Sequence, residues 1–65
     1  MPSTVISSFH YDAEKTVLKV IFTTGKVYEY INVPAFINEE MRAAFSKGTY
    51  FNERVKGHYK FRKIK

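Results

Sequence analysis

Cysteine is absent from this sequence. Neither a disulfide nor a thiolate-bound metal can therefore brace the fold, and no spacing of His, Asp and Glu suggests a metal site. Glycine is scarce, at three residues. A phosphate-cradling loop needs several glycines ahead of a Lys-Ser/Thr pair, whereas Gly25-Lys26 is followed by Val27. The G-x-S-x-G pattern is missing, and only His10 and His58 offer bases near neutral pH. A nucleophile needs such a base within hydrogen-bond reach. Glu39 and Glu40 are adjacent, so on a helix they point in different directions and form no facing pair. A non-catalytic chain with no cofactor is the expectation. No apolar run approaches the roughly 20 residues of a membrane span. The opening MPSTVISS has neither the basic nor the apolar region of a signal peptide, so a cytoplasmic protein is expected.

What is present is aromatic and basic. A chain of 65 residues makes one domain, and one this short buries only about 60% of its unfolded surface. Packing must supply the stability, and the five Tyr and six Phe suit that need because each buries a large area. The same shortage of core leaves a monomer or a weak homodimer open. The formal charge is +5, and it is unevenly placed. Residues 1–45 carry four Lys/Arg against five Asp/Glu, while residues 46–65 carry seven against one, Glu53. Such asymmetry points to an anionic partner for the C-terminal end.

Three strands are legible. VISSFHY at 5–11 alternates, TVLKVIF at 16–22 is rich in β-branched and aromatic residues, and KVYEYI at 26–31 follows the turn TTG. A three-residue hairpin loop with Gly25 in the left-handed position sets Val20 against Tyr28, Leu18 against Tyr30 and Lys19 against Glu29. A four-residue turn at Asp12–Lys15 sets Phe9 against Leu18 and Val5 against Phe22. One face then carries Val5, Phe9, Tyr11, Leu18, Val20, Phe22, Tyr28 and Tyr30, the expected core. The other carries Ile6, Ser8, His10, Val17, Lys19, Ile21, Val27, Glu29 and Ile31. Pro34 suits the start of a helix over 34–45, with Ile37, Met41, Ala44 and Phe45 as its stripe. Ser46 reads as the N-cap of a second helix over 47–55, with Phe51 and Val55 inward and Gly57 as the stop. HYKFRKIK at 58–65 is a basic tail beyond a core of about 5–57, either a short edge strand or loose. The fold class is α+β: a three-stranded antiparallel meander, then a long and a short helix, then a basic C-terminal segment.

The residues Gly25, Val27, Tyr28, Tyr30, Val33 and Pro34 form G-x-V-Y-x-Y-x-x-V-P. Ser46, Lys47, Gly48, Tyr50, Phe51 and Asn52 follow as S-K-G-x-Y-F-N, and Val55, Gly57 and Tyr59 come after. This resembles the KTSC domain family over about residues 5–64. Position 55 has Val where Ile is common in that family. The resemblance implies a small domain of the kind found at the C-terminus of some lysyl-tRNA synthetases and as stand-alone bacterial and phage proteins. It also implies RNA as a partner, through the synthetase association.

The residue types themselves fit a polyanion surface. Lys and Arg on phosphates give sequence-independent affinity through counterion release, and bases stack on aromatic rings. Lys47, Arg54, Lys56, Lys60, Arg62 and Lys63 are the candidate phosphate contacts; Tyr50, Tyr59 and Phe61 are the candidate stacking residues. The Ser46–Gly48 turn could add free backbone N–H groups. Tyr28 and Tyr30 resemble a stacking platform, but sharing a face with Leu18, Val20 and Phe22 favours core packing. A basic, aromatic tail would also suit an anionic membrane surface. The alternative to an RNA-binding accessory module is a protein-interaction or dimerisation module with an incidental basic tail, using Ile6, Val17, Ile21, Val27 and Ile31.

Overall fold

A computed structural model describes residues 6–65. Val5, expected opposite Phe22, lies outside them. The order is β1 (Ile6–Asp12), β2 (Val17–Phe22), β3 (Val27–Tyr30), α1 (Ala35–Ala43), α2 (Lys47–Tyr50) running into a π-helical turn (Phe51–Val55), and β4 (Phe61–Lys63). The strands form one antiparallel sheet in the order β1-β2-β3-β4. The basic C-terminal segment thus supplies an edge strand that extends the expected meander to four.

The β2–β3 hairpin has the expected register, with Leu18 opposite Tyr30, Lys19 opposite Glu29 and Val20 opposite Tyr28. Gly25 takes φ +95° and donates its N–H to Phe22 O at 2.9 Å. A residue with a Cβ is disfavoured at such an angle, so the loop needs this glycine.

The β1–β2 register is corrected by two residues: Tyr11 faces Leu18 and Phe9 faces Val20. Asp12 stays in the strand, opposite Val17, and its Oδ1 accepts the Glu14 and Lys15 N–H groups at 3.0 and 3.3 Å. The turn therefore begins one residue later than expected and closes through Thr16 at φ +54°. That angle is unusual for a β-branched residue, and the Thr16 carbonyl accepts the Val33 N–H at 2.9 Å. An even shift leaves the faces unchanged, so Phe9 and Tyr11 still join the core side. Ile6 does not keep its expected face. An irregularity between Ile6 and Ser8 puts Ile6 opposite Phe22 and packs it against the core, as a bulge does by inserting one unpaired residue.

Leu18, Val20, Tyr30, Val33, Ile37, Met41, Phe51 and Val55 form the buried core. Both helical segments lie on this side of the sheet. Tyr11 Oη donates to Val33 O at 2.6 Å, fastening the β3–α1 connection to β1. Of the stripe expected on α1, Ile37 and Met41 are buried, but Phe45 is fully exposed at 106%. The helix stops at Ala43, and Ala44 turns extended at ψ 141°, so Phe45 leaves the helical spacing that would have carried it inward. Among the described residues no element covers the opposite face, where Val17, Ile21 and Val27 are half-buried.

Candidate nucleic-acid interface

Ser46 builds the start of the site. Its Oγ accepts the Thr49 N–H at 3.3 Å and donates to Thr49 Oγ1 at 3.0 Å, the expected cap. The capped N–H belongs to Thr49, one residue beyond the Ser46–Gly48 turn expected to face phosphate, and a helix of four residues offers no anion site of its own. After Tyr50 the helix widens: the Lys56 N–H reaches Phe51 O at 2.8 Å, an i→i+5 bond. Gly57, at φ +82°, ends the turn and lets the His58 N–H return to Val55 O at 3.0 Å. With Phe51 and Val55 held in the core, Glu53, Arg54 and Lys56 are left at exposed positions.

Tyr50 is half-buried against the core. Its hydroxyl donates to Glu40 Oε1 at 2.7 Å. Burial, then the hydrogen bond and negative charge of Glu40, push this hydroxyl up to about 12, while Arg54 works in the opposite direction. Tyr59 also acts on it. Tyr50, Arg54 and Tyr59 therefore belong to one neighbourhood. Arg54 and Tyr59 further line an open cleft of about 570 Å³ together with Phe36, Ile37, Glu53 and His58.

The remaining candidates are spread more widely. The Lys47 Nζ donates to Ala44 O at 3.2 Å, across the junction with α1. Lys56 caps the π turn, and Lys60 is exposed while its carbonyl accepts the Ile31 N–H at 2.9 Å. Phe61 and Lys63 pair with Tyr30 and Tyr28, on the helix-bearing face. The Phe61 ring stacks on Tyr28, with centroids 5.3 Å apart and planes within 3°, and leans on Tyr30. Arg62 alternates to the open face, where Nη2 meets Glu29 Oε1 at 3.0 Å. Tyr28 and Tyr30 do not form an exposed platform: Tyr30 is buried and burial raises its hydroxyl pKa, and Tyr28 lies under Phe61. Phe36 was missed by sequence reasoning, although it is 57% exposed in the cleft. The signal available was its place: it sits next to Ile37, off the apolar stripe of α1, so a core role does not account for its ring.

An antiparallel meander with its helical layer on one face, closed by a basic edge strand, defines a small α+β domain. The chain belongs to the KTSC domain family, whose family model matches residues 2–59. A crystal structure of a KTSC domain protein from Yersinia pestis is similar at a TM-score of 0.87 and 32% identity, covering 100% of this chain and 94% of that one. A lysine–tRNA ligase of Nostoc punctiforme is 40% identical over 60 residues, 92% of this chain but 11% of the ligase. An uncharacterized protein of Stutzerimonas stutzeri is 34% identical over 65 residues, 98% of this chain and 92% of that one. The chain thus spans about a tenth of the length of the ligase it matches. Among the described residues, no helix is long and apolar enough to cross a membrane.

Proposed function

We propose that this domain is a non-catalytic, cytoplasmic module that binds RNA through the basic and aromatic segment 46–65. One observation carries the reading. All seven Lys and Arg of that segment are exposed, and among the described residues only Arg62 of them is ion-paired with an acid. Six exposed cations with no acidic partner among the described residues, in the same segment as Tyr50, Tyr59 and Phe61, suit a polyanion with stackable bases. The matched segment of relatives such as the Nostoc punctiforme protein lies within a lysine–tRNA ligase, which makes RNA the favoured polyanion.

Titration with tRNA and with a short single strand over a range of salt tests this. Affinity falls linearly on a log–log plot with salt, at a slope of about −0.7 per phosphate neutralised on a single strand. Arg54→Ala with Lys56→Ala weakens all sequences alike. Arg62→Ala, on the opposite face and paired with Glu29, has the smaller effect. Absence of binding to both ligands at low salt ends the proposal.

Val17, Ile21 and Val27, half-buried on a face that no element covers among the described residues, favour a second reading, a homodimer through the open sheet face. Sedimentation equilibrium decides it: a monomeric mass at high protein concentration excludes the dimer.

A further inference from the structure

The cleft between α1 and the π turn has a composition that a phosphate surface does not need. Ile37 lies buried at its base and two aromatic rings line it: Phe36 from α1, largely exposed, and Tyr59, packed against the core. The polar groups are Arg54, His58 and the single acid of the C-terminal segment, Glu53. Its volume of about 570 Å³ falls in the range of small-ligand sites, roughly 300–1,000 Å³.

Each simpler occupant leaves part of this lining unused. A bare anion would ignore Phe36, Ile37 and Tyr59 and would meet the Glu53 carboxylate. An apolar side chain would desolvate Arg54 and Glu53 without partners, which is costly. A nucleotide uses the whole set. Its base has a π-face for the rings, its phosphate an anion for Arg54, and its edge N–H donors for Glu53. RNA recognition commonly combines stacking with hydrogen bonds to an unpaired base edge. Guanine places an imino and an amino donor side by side, matching the two oxygens of one carboxylate.

We propose that this cleft receives one unpaired guanine of a single-stranded RNA, stacked against Phe36 and Tyr59, with Glu53 reading its donor edge and Arg54 holding its phosphate. The inference rests on the RNA-binding reading above and adds to it a site and a base preference.

Amide-resolved NMR titration of the full chain separates the two. The probes are a short uridine strand with one central guanosine, and the same strand made of uridine throughout. The guanosine strand binds more tightly and shifts Phe36, Glu53, Arg54, His58 and Tyr59 together. Phe36→Ala weakens it roughly tenfold, the scale of one stacked base, and the exposure of Phe36 lets the variant keep its fold, checked by its amide spectrum. Glu53→Gln loses the preference for guanosine while still binding both strands. Shifts confined to lysines and arginines outside the cleft, with Phe36→Ala and Glu53→Gln unchanged, overturn the cleft proposal and leave general RNA binding standing. An absence of shifts with either strand and with tRNA overturns both.

Discussion

The Tyr50 hydroxyl joins the two helical segments through its 2.7 Å bond to Glu40 on α1. Burial and Glu40 raise its pKa from 10.0 to about 12, so the folded state holds this proton more tightly than the unfolded chain does. The corresponding stability is fully present below pH 10 and is lost as pH rises through about 12. Between those values the folded protein binds more protons than the unfolded one, so added alkali favours unfolding. Lysines titrate in the same range, so the decisive measurement is a difference. Thermal midpoints of the native chain and of Tyr50→Phe are compared from neutral pH upward. The native chain falls more steeply above pH 10, and the gap between the two narrows toward pH 12. Parallel curves would show that the Tyr50–Glu40 bond adds nothing in solution.

At the level of elements, β4 is the least self-sufficient piece. All three of its residues are exposed, and a strand this short is held by what it packs on. Phe61 supplies that hold by stacking on Tyr28 and leaning on Tyr30. Backbone bonds flank it, from the Ile31 N–H to Lys60 O at 2.9 Å and from the Val27 N–H to Lys65 O at 3.0 Å. Phe61→Ala removes the ring pairs, each worth about 0.5–1.5 kcal/mol beyond area burial. Hydrogen exchange at the Val27 and Ile31 amides is expected to speed up, while Val20, an inner-strand position, keeps its protection. Unchanged exchange at Val27 and Ile31 would mean the hydrogen bonds alone hold the edge. The sequence offered only weak alternation here, because a three-residue strand gives a period-2 pattern too few positions to be read. The β2–β3 hairpin was legible for the converse reason. Its glycine fixes the loop and Lys19–Glu29 checks the register from outside the loop. The first turn had no such check. Asp12 bonds the turn backbone while remaining paired in β1, so turn chemistry was visible and its boundary was not.

For the whole molecule, the fully buried core is small: among the described residues it holds eight side chains. Domains typically hold about 0.05–0.15 kcal/mol per residue, which gives a chain of 65 residues roughly 3–10 kcal/mol. A Leu or Met to Ala change in a core costs about 2–5 kcal/mol, a large share of that total. This sets a sharp contrast between two residues that sequence spacing placed on one stripe. Met41 is fully buried and Phe45 is fully exposed. Periodicity could not separate them, since it assumes the helix continues, and Ala44 breaks it by turning extended. The cleft was hidden by the same kind of limit: Phe36 on α1 and Tyr59 in the loop beyond the π turn line one cleft, a juxtaposition that neither segment's own pattern encodes. Urea denaturation distinguishes the structure from the stripe. Met41→Ala should lower the unfolding free energy by at least about 2 kcal/mol, whereas Phe45→Ala should stay within about 0.5 kcal/mol of the native chain. Equal losses from the two variants would place Phe45 in the core and extend α1 beyond Ala43. A neutral Phe45→Ala beside a damaging Met41→Ala would confirm that the helix ends where it must for Ser46 to open the next one.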